Sequence, residues 1–375
     1  EANNVVLIVG SEGLTPEGSR ELTRAAANLL LATGHTGRPN NGLMLAWPEA
    51  NGQGASDMGF SPNWGPGYTP VEQAGRPYAE ILEALADDDL KLIYIAGADP
   101  AYDDAAADAA LRKTKGYVVV QGLFLTATAE LADVVLPAQS IAERSGTYTN
   151  GERRVQRFYP AIEPIGESLP DWQITQAIGE LLGHGKRAAS EASLMLEIAE
   201  AVPPYAGITY AKLARVEEQL PDVGGDDLYY GGTAFKNLHG LGIQWDATAG
   251  TGGAALSAAP AKAGAPLAAR SGGEFVVVPV TVVYDREPLF YRTELLHQRV
   301  PAPYAGLNPA DAARLGVGNG DMLGVELGER EVTAAAHIDP HVPEGVATLP
   351  RRLQQHGTLP GATVAPVKKL ETIQA

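Results

Sequence analysis

The sequence predicts an α/β protein whose first part forms a doubly wound, mostly parallel sheet and whose last part forms a small β-barrel. Short apolar runs alternate with helix-forming stretches up to residue 136, which is the spacing of parallel strands joined by crossover helices. After residue 274 the chain carries several short strand-forming runs separated by Gly and Pro turns. An Ala/Gly-rich stretch separates the two patterns. We therefore predict an α/β domain over residues 1–245, a linker over residues 246–273 and a β-barrel over residues 274–375.

The elements of the first part follow from apolar periodicity and helix-capping signals. Residues 5–9 read VVLIV, a short buried strand that ends at Gly10. Thr15 and Pro16 mark the start of a helix, because Pro lacks only an N–H that the first turn leaves unpaired. Residues 35–68 are rich in Gly, Pro and Asn and predict a long loop. The same signals then predict helices over residues 71–85, 103–113, 126–131, 172–182, 193–202 and 211–220, and strands over residues 92–96, 117–121 and 134–136.

In the last part of the chain, apolar runs predict strands over residues 275–283, 322–327, 331–338 and 345–349. A helix of one or two turns is predicted over residues 308–315, and Gly316 is expected to end it. Several short strands with one short helix are the pattern of a small β-barrel.

Charge and composition exclude several classes of function. The net charge is 28 − 45 = −17, so the chain lacks the basic face with which nucleic-acid binders displace counterions. An acidic chain is also disfavoured at an anionic membrane surface. The absence of cysteine excludes a disulfide, a thiolate nucleophile and a cysteine-ligated zinc or iron–sulfur cluster in this chain. No apolar run approaches the ~20 residues of a membrane span.

Generic catalytic signatures are absent, since the sequence has no P-loop, no G-x-S-x-G elbow and no H-E-x-x-H motif. Residues 10–13 lie where a phosphate-binding turn would be, but their spacing favours a tight strand-to-helix turn. His337 and His341 have a spacing that zinc could use on a helix, but the strand context and an intervening proline favour a solvated barrel edge. Arg351 and Arg352 could bind a phosphate or a partner carboxylate, or form a plain surface or interface pair.

Four segments are more specific than any of these motifs. They read TGHTGRP at 33–39 with NGQGASDMG at 51–59, then GADP at 97–100, then LADVVLPA at 131–138 with ERSGTYTNGERRVQ at 143–156, and finally LNPADAARLGV at 307–317 with Gly320-Asp321. In order and spacing they resemble the molybdopterin oxidoreductase superfamily, which includes formate dehydrogenases and nitrate reductases. The resemblance spans nearly the whole chain but covers only the later part of such a polypeptide, so iron–sulfur modules would precede Glu1.

This resemblance implies a molybdopterin-oxidoreductase, formate-dehydrogenase-like α/β fold followed by a dinucleotide-binding barrel. In that superfamily the Gln-Gly segment lines the pterin pocket, and the acidic residue before Pro faces a guanine. By motif match, the pterin-pocket candidates in this chain are Gln53, Gly54 and Asp99. A carboxylate suits a guanine because it accepts hydrogen bonds from two donors. The alternative for Asp99 is an Asx turn before Pro100.

The chain departs from the active superfamily enzymes at positions expected near the metal. Trp47 aligns where those enzymes tend to have Arg, and Phe290-Tyr291 replaces a His-Tyr pair at the start of the barrel. Residues 353–357 lack the aromatic-rich run of formate dehydrogenases. Losing a cation and an imidazole would remove charge stabilisation and proton transfer. These departures, and the segment over residues 143–172, are most similar to the large iron–sulfur subunit of respiratory complex I, whose C-terminal part is generally held to have lost the cofactor.

That similarity implies a structural, cofactor-free part of the peripheral arm of a proton-pumping NADH–quinone oxidoreductase. The chain would support electron transfer from NADH to quinone through iron–sulfur clusters held in the preceding part of the polypeptide. No catalytic and no metal-ligating residue is expected, and Gln53, Gly54 and Asp99 would be vestigial. The expected partners are other peripheral-arm subunits and the cluster-bearing N-terminal part, with no nucleic acid, on the cytoplasmic side of the cell membrane.

Two alternatives belong to other classes. The first is the C-terminal part of a molybdenum or tungsten bis-pterin enzyme such as a formate dehydrogenase, which would bind molybdopterin guanine dinucleotide. The second is an independent nucleotide-binding protein of the doubly wound class, which the predicted barrel and the order of the four segments disfavour.

Overall fold

The computed structural model describes residues 2–38, 40–46, 49–185, 187–214, 242–245, 257–264, 267, 273–328, 330–359 and 361–371. It has a mixed α/β part and a closed β-barrel, which confirms the predicted fold class. The strands of the α/β part are β1 (Val6–Val9), β2 (Gly42–Leu45), β3 (Trp64–Gly65), β4 (Thr69–Pro70), β5 (Leu92–Ala96), β6 (Tyr117–Gly122), β7 (Val134–Pro137), β8 (Gly146–Thr149), β9 (Arg154–Phe158) and β10 (Ile243–Gln244). Its helices are α1 (Pro16–Ala32), α2 (Gly52–Asp57), α3 (Tyr78–Ala86), α4 (Pro100–Asp103), α5 (Ala105–Lys113), α6 (Asp171–Leu181), α7 (Glu191–Ala201) and α8 (Tyr210–Leu213), with 3₁₀ turns at Pro66–Tyr68, Ala129–Leu131 and Pro203–Tyr205.

Parallel pairing organises the α/β part, as the alternation of strands and helices predicts. Strand β1 pairs with β2, and β5, β6 and β7 form a second parallel sheet in that order, so the parallel strands lie in two separate sheets. A third sheet is antiparallel, with the order β10-β9-β8. The sequence did not predict this hairpin, which carries residues of the third specific segment.

Helix α1 shows how local signals define an element. The Thr15 hydroxyl accepts a hydrogen bond from the Gly18 N–H at 3.1 Å, and Pro16 occupies the first helical position. Leu30 anchors the helix in the core at 1% exposure. Gly34 follows the last turn with a φ of 67°, a conformation that glycine adopts without steric cost.

The last part of the chain is a closed six-stranded barrel. Its strands are β11 (Glu274–Val280), β12 (Tyr304–Leu307), β13 (Met322–Leu327), β14 (Arg330–Ile338), β15 (Val346–Pro350) and β16 (Thr363–Lys369), and their order is β11-β15-β12-β14-β13-β16. Its helices are α9 (Pro288–Tyr291), α10 (Glu294–His297) and α11 (Pro309–Leu315). Alternate residues of β11 point inward, and Phe275 and Val277 are fully buried. Strands β12 and β16 were not predicted, whereas α11 begins after an Asn308 cap and ends at Gly316 as expected.

Several predicted segments differ in the structure. Residues 35–68 are not a plain loop, because β2 and α2 lie within them and pairing with β1 holds β2 in place. The helix predicted from residue 71 begins only at Tyr78, after Pro77. Helix α8 covers the start of the helix predicted over residues 211–220, whose remainder lies outside the described residues. Most of the predicted linker, residues 246–273, also lies outside them. No helix in the described ranges has the length and apolar character needed to cross a bilayer.

The barrel contacts the α/β part at the turn that follows β1. The Ala362 N–H donates to the Gly13 carbonyl at 2.8 Å, and the Thr281 hydroxyl donates to the Glu12 carboxylate at 2.9 Å. Arg351 pairs with the same carboxylate at 3.7 Å. Residues 10–13 therefore serve as a barrel contact, which agrees with the prediction of a structural turn there.

Candidate functional site

The Gln-Gly segment forms helix α2, directly after β2 and a short turn. Gly54 is buried, and a β-carbon at this position would lie 2.3 Å from Oδ1 of Asn51. The same Asn51 oxygen accepts a hydrogen bond from the Thr149 N–H at 2.9 Å, which ties α2 to β8. A side chain at residue 54 would therefore displace the Asn51 amide and disturb its contact with Thr149.

A buried carboxylate lies at the end of α2. Asp57 is 0% exposed, and its two oxygens accept three hydrogen bonds from side chains. The Gln53 amide and the Tyr68 hydroxyl donate to Oδ1 at 2.8 and 2.6 Å, and the Tyr205 hydroxyl donates to Oδ2 at 2.8 Å. These three donors satisfy the oxygens of a buried carboxyl group, and no ion pair to it occurs among the described residues. We call these four side chains, Gln53, Asp57, Tyr68 and Tyr205, the Asp57 hub.

The two tyrosines of the Asp57 hub come from distant parts of the chain. Tyr68 has a φ of 62°, in the left-handed region, and follows Gly67, whose φ is 66°. A β-carbon on Gly67 would lie 3.0 Å from Cδ of Pro203, so this turn packs closely on the turn that carries Tyr205. Burial, reinforced by the neighbouring Asp57 carboxylate, raises the pKa of both Tyr68 and Tyr205, so both hydroxyls stay protonated and act as donors.

Asp99 follows β5 at the carboxyl edge of the three-stranded parallel sheet, where ligands of open α/β sheets bind. It is 8% exposed, and its Oδ1 accepts from the Thr128 N–H at 2.9 Å and from the Thr128 hydroxyl at 2.7 Å. Oδ2 makes no hydrogen bond within the described residues, and it is not among their buried unpaired atoms. Gly97, two residues earlier, has a φ of 67° and open space where a β-carbon would be. One acceptor oxygen beside an open backbone is therefore available at this edge.

Further polar side chains lie at the same edge of the sheet. Gln121 on β6 is 1% exposed and accepts a hydrogen bond from the Tyr94 hydroxyl. Its amide donates to Asp171 at 2.5 Å, and Arg144 pairs with the second oxygen of that carboxylate. These side chains join the sheet to the start of α6 and to the ERSG segment.

A barrel loop covers the turn that begins with Asp99. The Arg352 guanidinium donates to both oxygens of Asp103, at 3.0 and 2.6 Å. His356 approaches the same turn, with its N–H bonded to the Tyr102 carbonyl at 2.8 Å and its Nε2 3.0 Å from the Ala101 carbonyl. Arg352 thus pairs with a carboxylate of the α/β part, the structural pair that the sequence offered as one alternative for this residue.

The structure places the predicted candidates in two networks. Gln53 and Gly54 belong to the network around Asp57, whereas Asp99 belongs to the one around Thr128. Trp47, which aligns where the active superfamily enzymes tend to have Arg, lies outside the described residues. His337 contacts Tyr304 edge-on, and the described residues contain no group of three or more His, Asp or Glu side chains arranged to hold a metal.

The sequence did not single out Asp57, Tyr68, Tyr205 or Gln121. Asp57 could have been found, because it lies in the NGQGASDMG segment four residues after Gln53, the spacing of neighbours on one helix face. Tyr205 gives no such signal, since it is 148 residues away from Asp57 along the chain.

Comparison with known proteins identifies the families that the α/β part and the barrel resemble. Residues 1–181 match the family model "Molybdopterin oxidoreductase", and residues 289–370 match the model "Molydopterin dinucleotide binding domain". Acetylene hydratase from Pelobacter acetylenicus shares the fold, with a TM-score of 0.56 at 17% identity over 86% of this chain and 51% of that chain. The protein therefore contains a molybdopterin-oxidoreductase-type α/β region followed by the dinucleotide-binding barrel of that class.

Several curated relatives of this chain are formate dehydrogenases or oxidoreductases by name. The alpha subunit of the F420-dependent formate dehydrogenase of Methanocaldococcus jannaschii is 32% identical over 88% of this chain and 51% of its own length. A probable oxidoreductase of Bacillus subtilis is 40% identical over 52% of this chain, and a putative formate dehydrogenase of Staphylococcus aureus is 38% identical over 56%. The chain spans about half the length of the first relative and less than a quarter of the other two. These comparisons support the formate-dehydrogenase-like alternative better than the complex I interpretation.

Proposed function

We propose that this chain is the C-terminal part of a formate-dehydrogenase-like molybdopterin oxidoreductase and that it holds part of a molybdopterin guanine dinucleotide. The observation that carries the proposal is Oδ2 of Asp99, which has no hydrogen-bond partner among the described residues and lies next to the open backbone at Gly97, in a chain that matches the dinucleotide-binding domain. Two of the relatives, from Methanocaldococcus jannaschii and Staphylococcus aureus, have formate dehydrogenase in their names, which supports formate as the substrate.

The residues present fit such a cofactor. A guanine presents N–H donors along its Watson–Crick edge, and Asp99 offers an oxygen that accepts no hydrogen bond from the part of the chain that the structure describes. Bound cofactor would supply a metal centre able to take electrons from the substrate. Within this chain, Asp99 would hold the guanine, Gln53 would face the pterin, and Arg352 and His356 would keep the barrel loop against the Asp99 turn.

The exposed apolar faces of the α/β part support a further element of the proposal, namely that this chain packs against the remainder of a longer polypeptide. Ile8 is 70% exposed and Leu92 is 56% exposed, although both lie in strands of parallel sheets. Parallel sheets normally bury both faces. The competing function is a structural, cofactor-free role in the peripheral arm of complex I. Phe290-Tyr291, in place of a His-Tyr pair, favours that alternative.

Analysis of the native polypeptide that contains this chain tests the proposal. Molybdenum or tungsten together with a fluorescent oxidised pterin, near one cofactor set per chain, is the expected result. Neither metal nor pterin, in a preparation that still oxidises NADH, would contradict the proposal and favour the complex I scaffold.

A variant at Asp99 makes the test specific to this chain. Asp99→Asn keeps Oδ1 as the acceptor for Thr128 but replaces Oδ2 with an amide NH₂ group, which donates hydrogen bonds and does not accept them. We therefore expect guanine nucleotide recovered by acid hydrolysis to fall about tenfold. Asp104→Asn is the matched control, because Asp104 caps α5 at the surface and asparagine caps equally well. Equal guanine content in both variants would contradict the assignment of Asp99.

A further inference from the structure

The hydrogens of the Asp57 hub can be assigned from chemistry alone. A carboxylate only accepts hydrogen bonds, and each tyrosine hydroxyl has one hydrogen to donate. The Tyr68 and Tyr205 hydrogens therefore go to Asp57, at 2.6 and 2.8 Å. Once its hydrogen is committed, the Tyr68 oxygen can only accept, and the Gln53 amide nitrogen donates to it at 3.0 Å.

This assignment fixes the orientation of the Gln53 amide. Its nitrogen has two hydrogens, and both are used, one by Asp57 at 2.8 Å and one by Tyr68 at 3.0 Å. Rotating the amide by 180° would place its oxygen against a carboxylate oxygen and against a hydroxyl oxygen that has no hydrogen to give. Two unsatisfied, repulsive contacts would result in a buried site, so the opposite orientation is strongly disfavoured.

The remaining polar atom of Gln53 is its carbonyl oxygen. It makes no hydrogen bond within the described residues, and it is not one of their buried unpaired atoms. The Asp57 hub thus leaves an acceptor, and not a donor, available to a ligand at this position. A ligand group that fits it must donate a hydrogen bond.

We propose that Asp57 and Tyr68 are positioning residues that hold the Gln53 carbonyl oxygen ready to accept from an N–H group of the pterin. This inference rests on the proposed function, because it takes the ligand to be a pterin. A pterin ring has ring N–H and amino groups that can donate to this acceptor. The fixed orientation of the Gln53 amide therefore favours a bound ring that presents one of these donors to Gln53.

The two tyrosines of the hub provide a matched experiment. Both donate to Asp57, and each has one further partner, which is Gln53 for Tyr68 and Thr149 for Tyr205. Tyr68→Phe and Tyr205→Phe therefore remove the same number of hydrogen bonds, but only Tyr68→Phe removes one of the two contacts that orient the Gln53 amide. Each variant is made in the longer native polypeptide, and pterin per chain, the rate of pterin loss and the melting temperature are measured.

We expect similar losses of melting temperature in both variants, because each loses one hydrogen bond to Asp57 and one hydrogen bond to a second side chain. Tyr68→Phe should in addition lose pterin about fivefold faster than Tyr205→Phe, which corresponds to about one hydrogen bond. Equal pterin loss in the two variants, with pterin bound by the unaltered protein, would overturn the positioning role and leave the proposed function intact. Absence of pterin from the unaltered protein would overturn both.

Discussion

The barrel and the α/β part of this chain bury their apolar residues to different extents. Phe275 and Val277 of the barrel are fully buried, and every barrel strand has a neighbour on both sides. In the α/β part, Ile8 is 70% exposed, Leu92 is 56% exposed and Tyr117 is 51% exposed. The barrel thus completes its own core, whereas the parallel sheets leave apolar faces of the kind that such sheets normally cover. The barrel can therefore be stable with its own core alone, whereas the α/β part has apolar surface on which another protein segment could pack.

The largest expected effect tests the independence of the barrel. Phe275→Ala should lower the free energy of unfolding of the barrel by about 3–5 kcal/mol, through lost burial and the cavity left behind. Tryptophan fluorescence reports on the α/β part alone, because the four tryptophans are Trp47, Trp64, Trp172 and Trp245. Far-UV circular dichroism reports on both parts.

If the barrel is independent, denaturant titration should show an early loss of circular dichroism while the fluorescence midpoint moves little. The control is Leu295→Ala, since Leu295 is 88% exposed on the barrel side and should change neither signal. Equal shifts of both midpoints would mean that the two parts unfold as one unit.

The contact between the two parts should be weaker than either core. Arg352 and Asp103 form a two-pronged, half-buried ion pair, for which a double-mutant cycle should give a coupling of roughly 1–2 kcal/mol. Arg352→Lys should lose most of it, because an ammonium cannot reproduce the planar fork. The surface pair Arg112 and Asp108, four residues apart on α5, should give a much smaller coupling in the same assay, because solvent and salt screen an exposed ion pair. Coupling no greater than this would contradict a specific interface.

Local sequence signals predicted the helix ends that depend only on neighbouring residues. The cap at Thr15 and the stop at Gly316 are examples, and both lie where the structure has them. Strand β2 was missed because its Gly-flanked residues become a strand only by pairing with β1, about 36 residues earlier. The β8–β9 hairpin was missed for a similar reason, since it packs against α2 through the contact of Asn51 with Thr149.

The candidate site was predictable only as far as its motifs extend. Gln53, Gly54 and Asp99 came from resemblance, and the structure adds which of their atoms are already engaged. A motif cannot show that Asp57 needs Tyr205, because that contact depends on how two distant turns pack. The expected absence of a cofactor followed from Trp47 and Phe290-Tyr291, and the matched dinucleotide-binding domain gives that expectation no support.

A smaller effect is expected from Glu143 of the α/β part, whose contribution to the free energy of unfolding should depend on pH. Ser140, through its hydroxyl and its N–H, and the Ile165 N–H bind the Glu143 carboxylate and lower its pKa from the ordinary value of 4.5. A group whose pKa is lower when folded stabilises fully above its unfolded pKa, and this contribution is lost as pH falls through the folded pKa. Glu143→Gln should therefore cost about 1–2 kcal/mol at pH 7 and progressively less below about pH 4.5. Exposed Glu163, changed to Gln, is the control, and an equal cost of Glu143→Gln at pH 7 and pH 3 would contradict this cause.

The smallest expected effect tests directly whether the exposed apolar face of the α/β part is covered in the longer polypeptide. Ile8→Lys should change the free energy of unfolding of this chain by less than about 0.5 kcal/mol, because the side chain is already 70% exposed. In the longer native polypeptide the same lysine would have to be buried if that part covers β1, so its melting temperature should fall by several degrees. Leu295→Lys, at an exposed barrel position, should be neutral in both proteins. A neutral Ile8→Lys in the longer polypeptide would show that the apolar face stays open there, and the contrast between the two parts would then concern shape and not assembly.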